Sequence, residues 1–172
     1  VDDEKDICLT LSKILSSKGY LVQTAINSDV AINTIKRTPV DLVLLDVWLE
    51  GSNKNGLELL NIIKNFNPNT PVILISGHAN VEMAVKAIKE GAFYFIEKPF
   101  KSEKLFLIID RALENAFLRN KYEVYKENID NDTEFIGNTA LINNLKRKIK
   151  QISNTNARIL ITGESGTGKN FV

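Results

Sequence analysis

The sequence predicts an α/β fold, an open parallel sheet with helices on both faces. Three observations predict it. The apolar runs Leu42-Val43-Leu44-Leu45, Val72-Ile73-Leu74-Ile75 and Phe93-Tyr94-Phe95-Ile96 alternate with segments of helical spacing up to about residue 118. The first two runs are continuously apolar rather than alternating, the pattern of strands buried on both faces. A polar residue then stands just past each run: Asp46, Ser76, and Lys98 in Glu97-Lys98-Pro99.

The elements follow in order. Asp6 to Lys18 places Ile7, Leu11, Ile14 and Leu15 at helical spacing, and Gly19 ends that helix as a C-terminal cap residue would. Tyr20-Leu21-Val22 reads as a strand. Asn27-Ser28 can cap a helix through Ile35, stopped by Thr38-Pro39. Leu42–Leu45 is a buried strand, and Gly51–Gly56 a polar loop. Leu57, Leu60, Ile62 and Ile63 line a helix that ends before Pro68. Val72–Ile75 is the next strand. Val81, Val85 and Ile88 form a helix ended by Gly91, and Phe93–Ile96 is the last strand of this unit. Ser102 can cap a final helix, with Glu103 favourable in its first turn. That helix is expected to continue through Leu105, Ile108, Ile109, Ala112, Leu113 and Phe117 into the charged stretch Arg119–Glu127, and to serve as a linker or a dimerising coiled coil. Asn128–Thr133 is expected to be a hinge. A second unit begins near Phe135, with a helix over Leu141–Ile152 and a strand over Ala157–Thr162.

The chain has 172 residues and a formal net charge of +1, so composition points to neither nucleic acid nor a membrane. The single cysteine, Cys8, has no internal partner for a disulfide, and a reducing cytoplasm is the expected location. No apolar run approaches the ~20 residues that span a bilayer. The chain starts at Val1 without Met and stops at Val172 soon after a Gly-rich motif. It is expected to be a piece of a longer protein, with the strand ahead of Asp2-Asp3 cut to Val1.

In an open parallel sheet the C-terminal ends of the strands converge on one crevice. Asp2, Asp3, Asp46, Ser76 and Lys98 would meet there. Taken singly, Asp2-Asp3-Glu4 reads as a helix-capping cluster, Asp46 as a strand-end cap and Lys98 as a surface charge. Together they are equipment for phosphorylating a carboxylate beside a divalent cation. Mg²⁺ takes oxygen ligands and keeps several waters. Asp3 and Asp46 would bind it directly, Asp2 through water, and the Trp48 carbonyl would add an oxygen. Lys98 would pair with Asp46 and then with the phosphoryl group, and Ser76 would hydrogen-bond that group, with Gly77 leaving it space. Phe95, His78 and Cys8 each read first as ordinary core or surface residues.

Val1-Asp2-Asp3-Glu4, Asp46, Ser76-Gly77 and Lys98-Pro99 together resemble the receiver domains of bacterial two-component response regulators, over residues 1–118. The resemblance implies a flavodoxin-like (βα)5 fold with strand order 2-1-3-4-5, its first strand truncated here. It implies phosphorylation of Asp46 by a sensor histidine kinase, Mg²⁺ at Asp2, Asp3 and Asp46, and a switch made by Ser76 and Phe95. It also implies a cis Lys98-Pro99 bond. One departure stands out: receivers often carry Pro four residues after the acceptor, and here Glu50 begins a longer loop, Glu50–Asn55.

Gly163-Glu164-Ser165-Gly166-Thr167-Gly168-Lys169 after a predicted strand fits a phosphate-cradling loop, with Lys169 reaching the β/γ oxygens. Asn170 stands where the general motif has Ser or Thr. The run resembles the AAA+ domain of sigma-54-dependent activators, and Phe135-Ile136-Gly137-Asn138 resembles the start of that domain. Residues 119–133 would then be linker and 134–172 the N-terminal piece of the AAA+ domain. Asp46-Val47-Trp48-Leu49-Glu50-Gly51-Ser52, Ile75-Ser76-Gly77-His78 and Phe95-Ile96-Glu97-Lys98-Pro99-Phe100 look most like the NtrX group, whose partner is the membrane kinase NtrY. The resemblance implies ATP in an intact AAA+ domain, a homodimer through receiver and linker helix, and contact with sigma-54 polymerase and DNA only through parts this chain lacks. The chain is therefore not expected to act as an ATPase. The alternative is an ATP-binding transcriptional activator whose first domain is an unphosphorylated pseudo-receiver; a flavin-binding module is a third, disfavoured because three acidic residues would repel a flavin phosphate.

Overall fold

The computed structural model describes residues 1–77, 80–132, 139–153, 158–164, 166 and 169. The chain divides into two compact units, Val1–Lys121 and Tyr122–Val172.

In the first unit, helices α1 (Lys5–Ser17), α2 (Ser28–Arg37), α3 (Gly56–Phe66) and α4 (Val81–Lys89) alternate with strands β1 (Val43–Asp46), β2 (Val72–Ser76) and β3 (Tyr94–Glu97), followed by α5 (Ser102–Asp132). The strands pair in parallel in the order β1-β2-β3, with Asp46 opposite Ile75 and Ser76 opposite Glu97. Caps chosen by sequence set the helix starts. The Asn27, Asn55 and Asn80 side chains each accept from the backbone N–H three residues on, and Asn55 and Glu58 form a reciprocal capping box. Gly19 and Gly91 close α1 and α4 at φ of +90° and +98°, a conformation that a Cβ disfavours.

Strand β2 is buried along its whole length because both of its faces are covered. Val72 and Leu74 pack with Leu59, Leu60 and Ile63 of α3 and Ala31 of α2. Ile73 and Ile75 face Leu15 of α1 and Leu105, Ile109 and Ala112 of α5. One strand thus serves two cores, the doubly wound arrangement expected from its unbroken apolar run.

Three departures from the sequence reading have physical causes. Among the described residues the sheet has three strands, not five. Tyr20–Val22 belongs to no strand of the sheet, and Leu21 is fully exposed. The place beside β1 is held by Val1 alone: its N–H group donates to the Leu44 carbonyl at 2.7 Å, and its carbonyl accepts from Asp46 N–H at 2.9 Å. A single residue cannot carry a ladder onward to Tyr20–Val22. The expected hinge is helical as far as Asp132, since no Gly or Pro interrupts the chain from Phe100 to Ile136; Thr133 lies outside the described residues. Arg158–Thr162 forms no strand, because nothing among the described residues lies alongside to pair its backbone; Ala157 lies outside them.

The second unit contains the end of α5 and α6 (Ala140–Ile152), which is capped by the Thr139 hydroxyl. Phe135–Asn138 lie outside the described residues. No helix among the described residues is long and apolar enough to cross a membrane.

Candidate functional site

Asp46 ends β1, Ser76 ends β2, and Lys98 follows β3 by one residue, so the parallel register carries all three to one edge of the sheet. The Lys98 N–H donates to the Ser76 carbonyl at 2.8 Å, which fastens the start of the Lys98-Pro99 segment to the end of β2. The Lys98-Pro99 peptide is cis. Asp2 is brought alongside by its own N–H, which donates to the Ala25 carbonyl at 3.1 Å.

The charged groups interlock. Lys98 Nζ donates to Asp46 Oδ2 at 2.5 Å and to Asp2 Oδ2 at 2.9 Å. The other oxygens of these carboxylates are held by backbone: Asp46 Oδ1 accepts from Trp48 N–H, and Asp2 Oδ1 from Glu4 N–H, both at 3.0 Å. Asp2 and Asp46 are buried, and Asp3 and Lys98 half-buried. Burial pushes the Asp46 carboxyl above its ordinary value, and the bonds from Lys98 and Trp48 work against that rise. Burial pulls Lys98 down, but its bonds to Asp46 and Asp2 outweigh it and hold the ammonium above its ordinary range.

Carboxylate oxygens of Asp2, Asp3 and Asp46 lie within 4.8 Å of one another. Three carboxylates face one ammonium, so the cluster keeps an excess of negative charge made entirely of hard oxygen donors. That donor set fits a divalent cation of the Mg²⁺ class. Lys98 and a backbone N–H engage both oxygens of Asp2 and, in the same way, both oxygens of Asp46, and a carboxylate oxygen with one such bond keeps a lone pair for a cation.

The other predicted residues fall out unevenly. Ser76 is fully buried at its strand end. Phe95 lies opposite Leu74 in the register and packs half-buried against the core shared with α3. Trp48 joins the site through its backbone, while its ring is 52% exposed. His78 lies outside the described residues. In the second unit Lys169 Nζ donates to the carbonyls of Gly163, at 2.9 Å, and of Glu164. Gly166 has φ +84°. Ser165, Thr167, Gly168 and Asn170 lie outside the described residues.

Two contributors escaped sequence reading. The Asp2–Lys98 pair joins residues 96 apart, which no local pattern reveals. Gly56 passes so close beneath the acceptor that a Cβ there would stand 2.1 Å from the Asp46 carbonyl oxygen; its signal was a glycine directly after the helix cap Asn55. Cys8, by contrast, is structural. It is buried with Sγ 3.3 Å from the Asp2 carbonyl, and burial pushes its thiol up, away from the reactive thiolate.

This acidic crevice at the ends of parallel strands is that of a receiver domain. A profile of the response regulator receiver domain matches residues 1–110, and one of the sigma-54 interaction domain matches residues 136–172. The chain belongs to the response regulator receiver family. Within it the similarity is to NtrX. The chain is 45% identical over 169 residues to the nitrogen assimilation regulatory protein NtrX of Azorhizobium caulinodans, across 98% of this chain and 37% of that protein. The crystallised receiver domain of NtrX from Brucella abortus matches with a TM-score of 0.63 and 50% identity, over 66% of this chain and 94% of that one. NtrX from Brucella abortus in complex with ATP matches with a TM-score of 0.73 and 44% identity, over 99% of this chain and 37% of that one. The chain therefore spans little more than a third of these longer relatives.

Proposed function

We propose that this chain is the phospho-accepting part of a two-component transcriptional regulator, and that Asp46 is the acceptor. The observation that carries the reading is the Asp46 carboxylate held between Lys98 and the Trp48 N–H, with two further carboxylates alongside. Asp46 Oδ would attack the phosphorus of a phosphohistidine on a sensor kinase. The P–O bond to Asp46 forms as the P–N bond to the imidazole breaks, and the departing nitrogen keeps the electron pair and takes a proton from water, leaving an aspartyl phosphate and a neutral histidine. Asp2, Asp3 and Asp46 would hold Mg²⁺, which when bound would offset the negative charge of the phosphoryl oxygens. Lys98, its Asp46 partner now carrying the phosphoryl group, would turn its ammonium to a phosphoryl oxygen while still beside Asp2, and Ser76 would hydrogen-bond another.

The aspartyl phosphate adds roughly −1.5 to −2 charges at the sheet edge. Ser76 and Phe95 would pass that change to the face of α4, β3 and α5, where Val85, Ile88, Tyr94 and Leu107 are exposed. A second copy of the chain is the partner proposed for that face and for the linker part of α5. In the intact protein the Gly163–Asn170 loop would bind ATP and Mg²⁺, and sigma-54 polymerase and DNA would be met through domains beyond this chain. A cytoplasmic location suits a protein phosphorylated by a kinase and acting on transcription. The chain is not proposed to be an ATPase by itself.

Intact-protein mass after incubation with acetyl phosphate and Mg²⁺ tests this. One Mg²⁺-dependent phosphoryl adduct, absent from Asp46→Asn, is expected. No adduct on the folded chain would leave a pseudo-receiver beside an ATP-binding domain.

A further inference from the structure

The loop between β1 and α3 carries Trp48, whose N–H orients the Asp46 carboxylate. Its inner end is pinned by backbone bonds: Val47 N–H to the Ile75 carbonyl at 3.0 Å, and Gly56 N–H to the Val47 carbonyl at 2.9 Å. Among the described residues no strand pairs with its outer half. The chain turns at Leu49–Ser52, closed by Ser52 N–H to the Leu49 carbonyl at 3.2 Å with Gly51 at φ +69°. Two side chains then fasten it to the first turn of α2. Ser52 Oγ accepts from Ser28 N–H at 3.3 Å, and Asn53 Nδ2 donates to Asp29 Oδ2 at 2.9 Å. The anchor point is itself firm, because Ser28 is fully buried and the Asn27 side chain caps the helix there. The loop is therefore not slack. It is tied at both ends, and Trp48 to Glu50 run between the ties.

We propose that Ser52 and Asn53 are positioning residues for the cation site, holding the loop in the path that keeps the Trp48 peptide against the Asp46 carboxylate. The proposal rests on reading Asp2, Asp3 and Asp46 as a divalent-cation site. Neither residue touches the carboxylates. Each acts through the loop, as groups that orient a ligand commonly do in metal sites.

Mg²⁺ titration of the whole chain tests it, followed by emission of Trp48, the single tryptophan, and in parallel by calorimetry. Asn53→Asp sets two carboxylates face to face and breaks the tie to Asp29. It is expected to weaken Mg²⁺ binding about tenfold. Through-space attraction from an added carboxylate would tighten binding instead, so the sign separates the two causes. The exchange Asp29→Asn with Asn53→Asp restores the bond with its donor and acceptor reversed and the net charge unchanged, and should return the wild-type affinity. Ser52→Ala, which adds no charge, should weaken binding in the same direction and keeps the test open if Asn53→Asp fails to fold. Wild-type or tighter binding by these variants, or no recovery in the exchange, would overturn the positioning role alone. A wild-type chain that binds no Mg²⁺ by either readout would overturn the cation reading, and the positioning role with it.

Discussion

Two stretches of this chain share one local plan, an apolar run that opens into a polar loop, and they end differently. Leu42–Leu45 leads to Asp46, and Arg158–Thr162 leads to Gly163. The first forms a strand from Val43 on, with Leu45 wholly buried and each strand residue paired to β2. The second is unpaired among the described residues, with Leu160 at 87% exposure. Around Asp46 the neighbours supply a counter-charge, two carboxylates and a backbone donor. The described part of the Gly163 loop instead folds its own lysine onto its own carbonyls. A strand-then-loop pattern makes a site only when adjoining strands bring groups from elsewhere in the chain.

That contrast can be broken or sharpened by substitution. Lys98→Ala leaves the Asp2 and Asp46 carboxylates facing each other unpaired, and should slow phosphorylation by acetyl phosphate about 10²–10³-fold, the usual cost of losing one aligned charge-stabilising group. An unchanged rate would mean that the crevice does not work as a unit. Leu74→Ala empties the centre of the sheet and should cost about 2–5 kcal/mol in urea denaturation. Gly56→Ala forces a methyl against the Asp46 backbone and should cost about 1–3 kcal/mol while also disturbing the acceptor. Leu160→Ala, the matching apolar deletion in the second unit, should stay within about 0.5 kcal/mol; a loss as large as that of Leu74→Ala would show that the two stretches are alike after all. The smallest effect is in pH. The Lys98 ammonium is held above its ordinary value of 10.5, so the stability it contributes is fully present below that pH and is lost only as pH rises through the higher folded value. The stability difference between wild type and Lys98→Met should therefore stay level from neutral pH to 10.5.

Much of the fold was legible because its signals are local. Asn27 caps its helix through a bond that reaches three residues, as Asn55 and Asn80, unread as caps, also do, and Gly19 and Gly91 end helices through their own φ. The acceptor and the lysine were legible because they stand at the ends of apolar runs. Tyr20–Val22 misled because a strand is a relation between segments: its apolar character was real, but its ladder depended on what lay beside β1. Asn128–Asp132 misled because polarity was taken for a break, whereas a polar stretch without Gly or Pro can stay helical.

By itself the sequence determined the order of helices and strands, the caps, the two-faced burial of β2 and the residue types of an acidic site, since these follow from periodicity and short-range bonding. Only the tertiary structure decided that Lys98 bridges two carboxylates rather than one, that Gly56 passes under Asp46, and that Ser52 and Asn53 tie their loop to α2. Those contacts join residues from 10 to 96 positions apart, and their distances are set by how the parallel strands bring their ends to one edge.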